Sequence, residues 1–210
     1  MKNLTKLELE LHLKRLRTCN FCPAMHKPVV TCLPVISKVI LVGQAPGQRE
    51  PLLEKPFAWT AGKTLFQWFE KSCGITEQQF RKNIYMAAVC RCYPGKNKQG
   101  GDRVPNTKEI TNCSSWLKSE FSILKPELVI PVGKLAINQF MKYSSLTNII
   151  GNSFNALYND EKIDIIPLPH PSGASPWPKI EPGKNLLQKA LSEISNHEAM
   201  RRIISKLPLT

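Results

Sequence analysis

Three features are scarce in this sequence of 210 residues, and each absence removes a class of protein. No apolar stretch is long enough to cross a bilayer; the longest, around Val39 to Val42, is the length of a strand. Internal repeats and low-complexity tracts do not occur, so neither a solenoid nor a tail-like chain is expected. Acidic residues are few: 16 Asp+Glu stand against 29 Lys+Arg, a formal net charge of +13. Such an excess suits a polyanionic partner, because each neutralised phosphate releases condensed counterions. It also suits a basic surface that is merely solvated, and composition alone leaves both open. The densest basic stretches are Arg91 to Arg103 and the group Arg201, Arg202 and Lys206.

At 42% hydrophobic the chain has the material for a core, and its length fits a single domain over 1–210. Residues 1–17 interleave Leu4, Leu7, Leu9, Leu11, Leu13 and Leu16 with Lys, Glu and Arg. That pattern predicts an amphipathic helix and lacks the uninterrupted apolar core of a secretion signal. A cytoplasmic, nucleoid-associated location is therefore expected, where the seven cysteines are not expected to form disulfides.

Beyond an irregular cysteine-bearing segment, 18–34, four strands are expected at 38–42, 83–92, 127–132 and 162–168. Helices are expected from Thr60, as cap, to Gly74, over 107–124, over 135–143 and over 185–206. Strands apolar on both faces and separated by helices predict an α/β fold: a three-layer α/β/α sandwich around a four-stranded, mostly parallel sheet. Ligands of such sheets bind beyond the carboxyl ends of the strands. Gly43-Gln44-Ala45-Pro46-Gly47 follows the first strand, His170 to Trp177 (HPSGASPW) follows the last, and the second runs into Cys90 and Cys92. All three should meet at one edge.

The first of these motifs is neither a Walker loop nor a GxGxxG fingerprint. Alone it reads first as an ordinary tight strand-to-helix turn, and second as a backbone cradle in which Gln44 hydrogen-bonds a ligand. His170 opens a loop too elaborate for a plain connector, and an imidazole there can donate to a developing anion. In Pro56-Phe57-Ala58-Trp59 either ring could stack on a base; Phe57 reads equally as a stacking ring or as a core anchor of the following helix, whereas Trp59 reads as a core anchor. Cys19-x-x-Cys22 with Cys92 and Cys113 forms a four-thiolate set, a pattern shared by zinc sites, redox pairs and accident.

In order along most of the chain, these residues resemble the uracil-DNA glycosylase superfamily, most closely its iron–sulfur branch, the fourth family. CNFCP at 19–23 resembles that family's first cysteine pair, and GQAPG its Gly-Glu-Gly/Ala-Pro-Gly motif. PFAWTAG at 56–62, VCRCYPG at 89–95, NC at 112–113 and HPSG at 170–173 resemble four further motifs. The resemblance implies a monomeric, monofunctional glycosylase that binds DNA and excises uracil or another deaminated base in base excision repair. It also implies a [4Fe-4S] cluster on Cys19, Cys22, Cys92 and Cys113, with zinc as the alternative. Gly43, Ala45, Pro46, Gly47, Phe57 and Ala88 would surround the flipped base; His170 and Gln44 would act in catalysis. Ser172, Gly173, Ala174, Ser175 and Trp177 would contact DNA, with Ala174 or Trp177 filling the vacated stack.

Two positions depart from that family. Gln44 replaces its motif-one acid, and Ala88 stands where it carries a base-reading Asn. Glu50 or Glu54, just downstream of the motif, could serve in place of that acid to activate water, but each reads first as a solvated loop charge. A glycosylase fold whose chemistry is weak or lapsed, binding damaged or single-stranded DNA, is the alternative these departures support.

Overall fold

The computed structural model describes residues 2–158, 161–173 and 175–208. Element order is α1 (Lys2–Arg17), β1 (Val39–Gly43), α2 (Glu50–Leu53), α3 (Thr60–Cys73), α4 (Glu77–Asn83), β2 (Tyr85–Ala88), α5 (Thr107–Leu124) and β3 (Leu128–Pro131). There follow α6 (Lys134–Ile137), α7 (Leu146–Ile149), β4 (Phe154–Tyr158), β5 (Glu161–Ile165), a 3-10 turn at Trp177–Lys179, α8 (Gly183–Asn196) and α9 (Glu198–Ile204). The sheet runs β2-β1-β3-β5-β4. Its first four members are parallel, and β4 is antiparallel to β5. Helices α1 and α5 pack together, as do α3 and α8, and they flank the sheet in the expected three-layer arrangement. No helix among the described residues is long and apolar enough to cross a membrane.

The sheet has five strands where four were expected. β4 lies at the edge and alternates between half-buried and exposed positions. It lacks the β-branched run that marks the fully buried central strands β1 and β3. The second strand is shorter at both ends: Thr76 and Gln79 form a capping box that launches α4, which runs to Asn83, and the strand stops at Ala88, short of Cys90 and Cys92. Thr60 is the first residue of α3, not its cap; Trp59 holds the cap position, and Gly74, at φ +65°, closes the helix.

The single helix expected over 185–206 is two. His197 leaves the helical region, its Nδ1 accepts from the Ala199 amide at 3.2 Å, and its Nε2 lies 2.9 Å from Asp164 Oδ2 on β5. In α1 the buried face is Leu9, His12, Leu13 and Leu16, whereas Leu4, Leu7 and Leu11 are exposed.

A polar knot ties the layers together. Glu120 of α5 accepts from Tyr85 Oη of β2 at 2.7 Å, pairs with Arg91, and lies 3.5 Å from His12 Nε2 of α1. Burial opposes its charge, yet Arg91 beside it holds Glu120 below the usual carboxylate range.

Candidate active site at the carboxyl ends of the strands

β1 ends at Gly43, and the chain turns through Gln44 to Gly47. Gly43 and Gln44 carbonyls accept from the Val89 and Cys90 amides at 2.9 and 3.0 Å, so the turn is zipped to the segment leaving β2. Gly43 is required by a neighbour: a Cβ there would sit 2.8 Å from Phe57 Cζ. Phe57 itself has φ +53°, a conformation that costs a non-glycine residue about 1 kcal/mol or more. Arg81 holds it by donating to the Pro56 and Phe57 carbonyls at 2.9 and 3.0 Å, while its guanidinium stacks 4.6 Å over Phe66. Gly62 clears space for the same loop, since a Cβ on it would lie 1.7 Å from the Phe57 oxygen.

His170 enters from beyond β5. Gly133, at φ +83°, packs against its ring, where a Cβ would come within 3.1 Å of Cδ2. The Ser172 amide donates to His170 Nδ1 at 3.2 Å, which leaves Nε2 as the protonated nitrogen of a neutral ring. Burial lowers the pKa of His170 below its ordinary value, opposed by the negative charge of Asp102. A neutral donor aimed at a cavity is suited to an oxygen that gains charge during reaction.

The 43–47 turn and His170 line one cavity of about 650 Å³, together with Phe57, Ala88, Arg91 and Ser172. That volume is ample for a nucleobase and part of its sugar. Gly43, Gln44, Ala45, Pro46, Gly47, Phe57, Ala88, His170 and Ser172 are thus brought together. Gly173, Ser175 and Trp177 lie outside the lining. Gly173 is exposed and its carbonyl accepts from Lys179, the Ser175 amide donates to the Ser172 carbonyl, and Trp177 is half-buried against the start of α8. Ala174 lies outside the described residues.

Two cavity residues differ from what the sequence predicts, and a third carries no motif. Glu50 is 9% exposed, not solvated. Its Oε2 accepts from the Gly47 amide at 2.5 Å and its Oε1 from Ala58 at 3.1 Å, so it staples the 43–47 turn to the Phe57 loop. Burial raises its pKa against those two hydrogen bonds. The Gly47-to-Glu50 spacing, ahead of Pro51 and an apolar pair, was the available signal. Trp59 is not a core anchor but stands 49% exposed at the cavity rim, with Arg49 5.5 Å over its ring. Asp102, an exposed residue of the basic loop, also lines the cavity; Glu54 is exposed, as expected.

The uracil DNA glycosylase superfamily matches this chain over residues 32–195. The chain belongs to that superfamily. Among its relatives is the type-4 uracil-DNA glycosylase of Sulfurisphaera tokodaii, 28% identical over 143 residues that make up 66% of this chain and 61% of that protein. The type-4 enzyme of Thermotoga maritima is 28% identical over 78% of this chain and 81% of its own length. That of Archaeoglobus fulgidus is 23% identical over 80% and 83%, respectively.

In this superfamily member the expectation of an iron–sulfur cluster, or of zinc in its place, is corrected. Cys19, Cys22, Cys92 and Cys113 do line a common cavity, but it measures only about 10 Å³, room for about one water. Among the described residues no group of three or more His, Cys, Asp or Glu side chains is arranged to hold a metal ion. The thiols have other partners. Asn112 donates to Cys22 Sγ at 3.6 Å, and Cys113 engages Cys90, which pushes the Cys90 thiol up and Cys113 down. Burial raises Cys92 to about 12, so it stays a protonated thiol at neutral pH. The expectation of metal binding fails with the cluster, and these cysteines pack the end of α1 and the 18–34 segment onto α5.

Proposed function

We propose that the protein is a monofunctional DNA glycosylase, which excises uracil or another deaminated base by flipping it and hydrolysing the N-glycosidic bond. The observation that carries this reading is the single cavity shared by the 43–47 turn, Phe57 and the neutral His170. A base inside a duplex is inaccessible, so it must leave the stack at a cost of a few kcal/mol. The flipped base stacks on Phe57, whose ring already covers Gly43. His170 Nε2–H donates to the base oxygen that becomes anionic as the bond breaks, a contribution of about 3–4 kcal/mol for a preorganised donor. Gln44 and the backbone of the turn orient base and water. The wall at Ala87 and Ala88 offers no polar side chain, so backbone groups read the base edge.

Ser172 holds a flanking phosphate, and Gly173 and Ser175 follow the groove, with Trp177 anchoring that loop to α8. Lys96 and Arg49 on the rim add phosphate contacts. The protein acts as a monomer, on nucleoid DNA in the cytoplasm, within base excision repair.

The test is a panel of oligonucleotides carrying uracil, hypoxanthine or xanthine, in single and double strands. Alkali-labile sites should appear with at least one, borohydride should trap no covalent adduct, and His170→Ala should lose about 100-fold or more of the rate. Tight binding to such DNA without cleavage of any base would instead favour the lapsed glycosylase, which Gln44 and Ala88 support.

A further inference from the structure

Hydrolysis needs a group to receive the proton of the attacking water, and the residue at the usual motif-one position here is an amide, Gln44. Two carboxylates line the cavity, Glu50 and Asp102. Both oxygens of Glu50 are taken by backbone amides, which a base would have to surrender. Asp102 differs. Tyr93 Oη donates to its Oδ1 at 3.1 Å, and among the described residues its Oδ2 has no donor. That free oxygen is turned toward the motif-one turn, 3.3 Å from where a Cβ on Gly47 would stand.

The placement is built rather than accidental. Tyr93 is itself fixed by reciprocal backbone hydrogen bonds with His26 at 2.8 and 3.2 Å. The loop that carries Asp102 is closed by its bridge to Lys96 and by the Arg103 amide donating to the Gly95 carbonyl at 2.9 Å. Arg103 then forks onto Glu109 at 2.6 and 2.7 Å, tying the loop to the first turn of α5. The charge of Asp102 also reaches His170, which lines the same cavity.

We propose that Asp102 is the catalytic carboxylate of this site, receiving the proton of the water that attacks the sugar. The assignment rests on the glycosidic reading above and deepens it. As the C1′–N bond breaks, its electron pair leaves with the base, whose oxygen is held by His170. The water oxygen bonds to C1′, its proton passes to Asp102 Oδ2, and that proton is then delivered to the departed base. The products are an abasic sugar and a neutral base. While the C1′–N bond is stretched, the same carboxylate faces the cationic sugar and lowers its energy. A carboxylate reached by a rim loop in this way makes the motif-one acid dispensable.

Single-turnover rates on uracil-containing single-stranded oligonucleotide, with binding measured by fluorescence anisotropy, test the assignment. Asp102→Asn should cut the rate about 100-fold or more while DNA affinity stays within threefold of wild type. Asp102→Ala should be rescued at least tenfold by added formate, a recovery that a purely structural carboxylate would not give. Asp102→Asn within threefold of the wild-type rate overturns the proposal. So does a loss of DNA affinity or melting temperature that accounts for the drop, without formate rescue. If wild type and His170→Ala are equally inert on every base of the panel, the glycosylase reading falls first and this assignment with it. An active wild type with an indifferent Asp102→Asn sinks the carboxylate alone.

Discussion

His170 shows how one hydrogen bond sets a chemical role. With the Ser172 amide on Nδ1, the ring is a donor at Nε2 only while it stays neutral. Burial favours that state by lowering the folded pKa below the ordinary 6.5. A depressed folded pKa means that the unfolded chain binds the proton more readily. Its stabilising contribution is therefore present above pH 6.5 and is lost as pH falls through the folded value. We expect the wild type to lose more stability than His170→Gln between pH 7.5 and pH 5, read as the shift in urea midpoint. Parallel curves for the two proteins would contradict the neutral assignment. Gln44 and Asp102 belong to the same scale: with an amide at position 44 and both oxygens of Glu50 engaged, Asp102 is the cavity carboxylate with an oxygen left for a ligand among the described residues.

At the scale of elements, the Phe57 loop is held from three sides. Arg81 of α4 clamps two carbonyls, Glu50 of α2 holds the Ala58 amide, and Gly62 in the first turn of α3 leaves room for the Phe57 oxygen. Gly62→Ala places a methyl group 1.7 Å from that oxygen, against backbone that cannot yield cheaply. We expect it to cost about 3 kcal/mol, measured by chemical denaturation. Arg81→Lys keeps the charge but loses the planar fork that reaches both carbonyls. The loop should then position a base poorly, with kcat/KM down on the order of 10- to 100-fold and melting temperature nearly unchanged. A lysine variant with wild-type kinetics would show that Glu50 and Gly62 suffice.

For the whole molecule, the buried knot at Glu120 joins α1, β2 and α5 to the site, because Arg91 lines the cavity as well as pairing with Glu120. Removing the acid leaves a guanidinium buried without its counter-charge. Glu120→Leu should lower stability by about 3–5 kcal/mol, read from urea unfolding. Net charge acts at this scale too. An excess of thirteen positive charges predicts DNA affinity that falls steeply with salt. Each phosphate contact adds about 0.7 to the log–log slope on single strands and about 0.9 on duplex. Neutralising Arg49 and Lys96 together should flatten that slope by the equivalent of two contacts; an unchanged slope would place the phosphate path elsewhere on the surface.

Much of this was legible in the chain. The buried strands at 39–43 and 128–131, the helix over 107–124, and the meeting of GQAPG with His170 follow from local apolar patterning and from the rule that parallel strands present their carboxyl ends to one side. Those are short-range or topological facts, and sequence carries them directly. The edge strand β4 and the break at His197 were not legible, because one sits at the sheet edge beside β5 and the other answers to Asp164, far along the chain; for Glu50 the spacing from Gly47 was a local signal, but its bond to Ala58 across the turn was not. The thiols make the same point in reverse: Cys19, Cys22, Cys92 and Cys113 have the spacing of a ligand set, yet their cavity is too small and their hydrogen bonds lead elsewhere. The order of residues alone determined the layers, the superfamily and the two motifs that face each other. Only the tertiary structure decided which carboxylate has a free oxygen at the site, since that depends on which backbone amides reach it first.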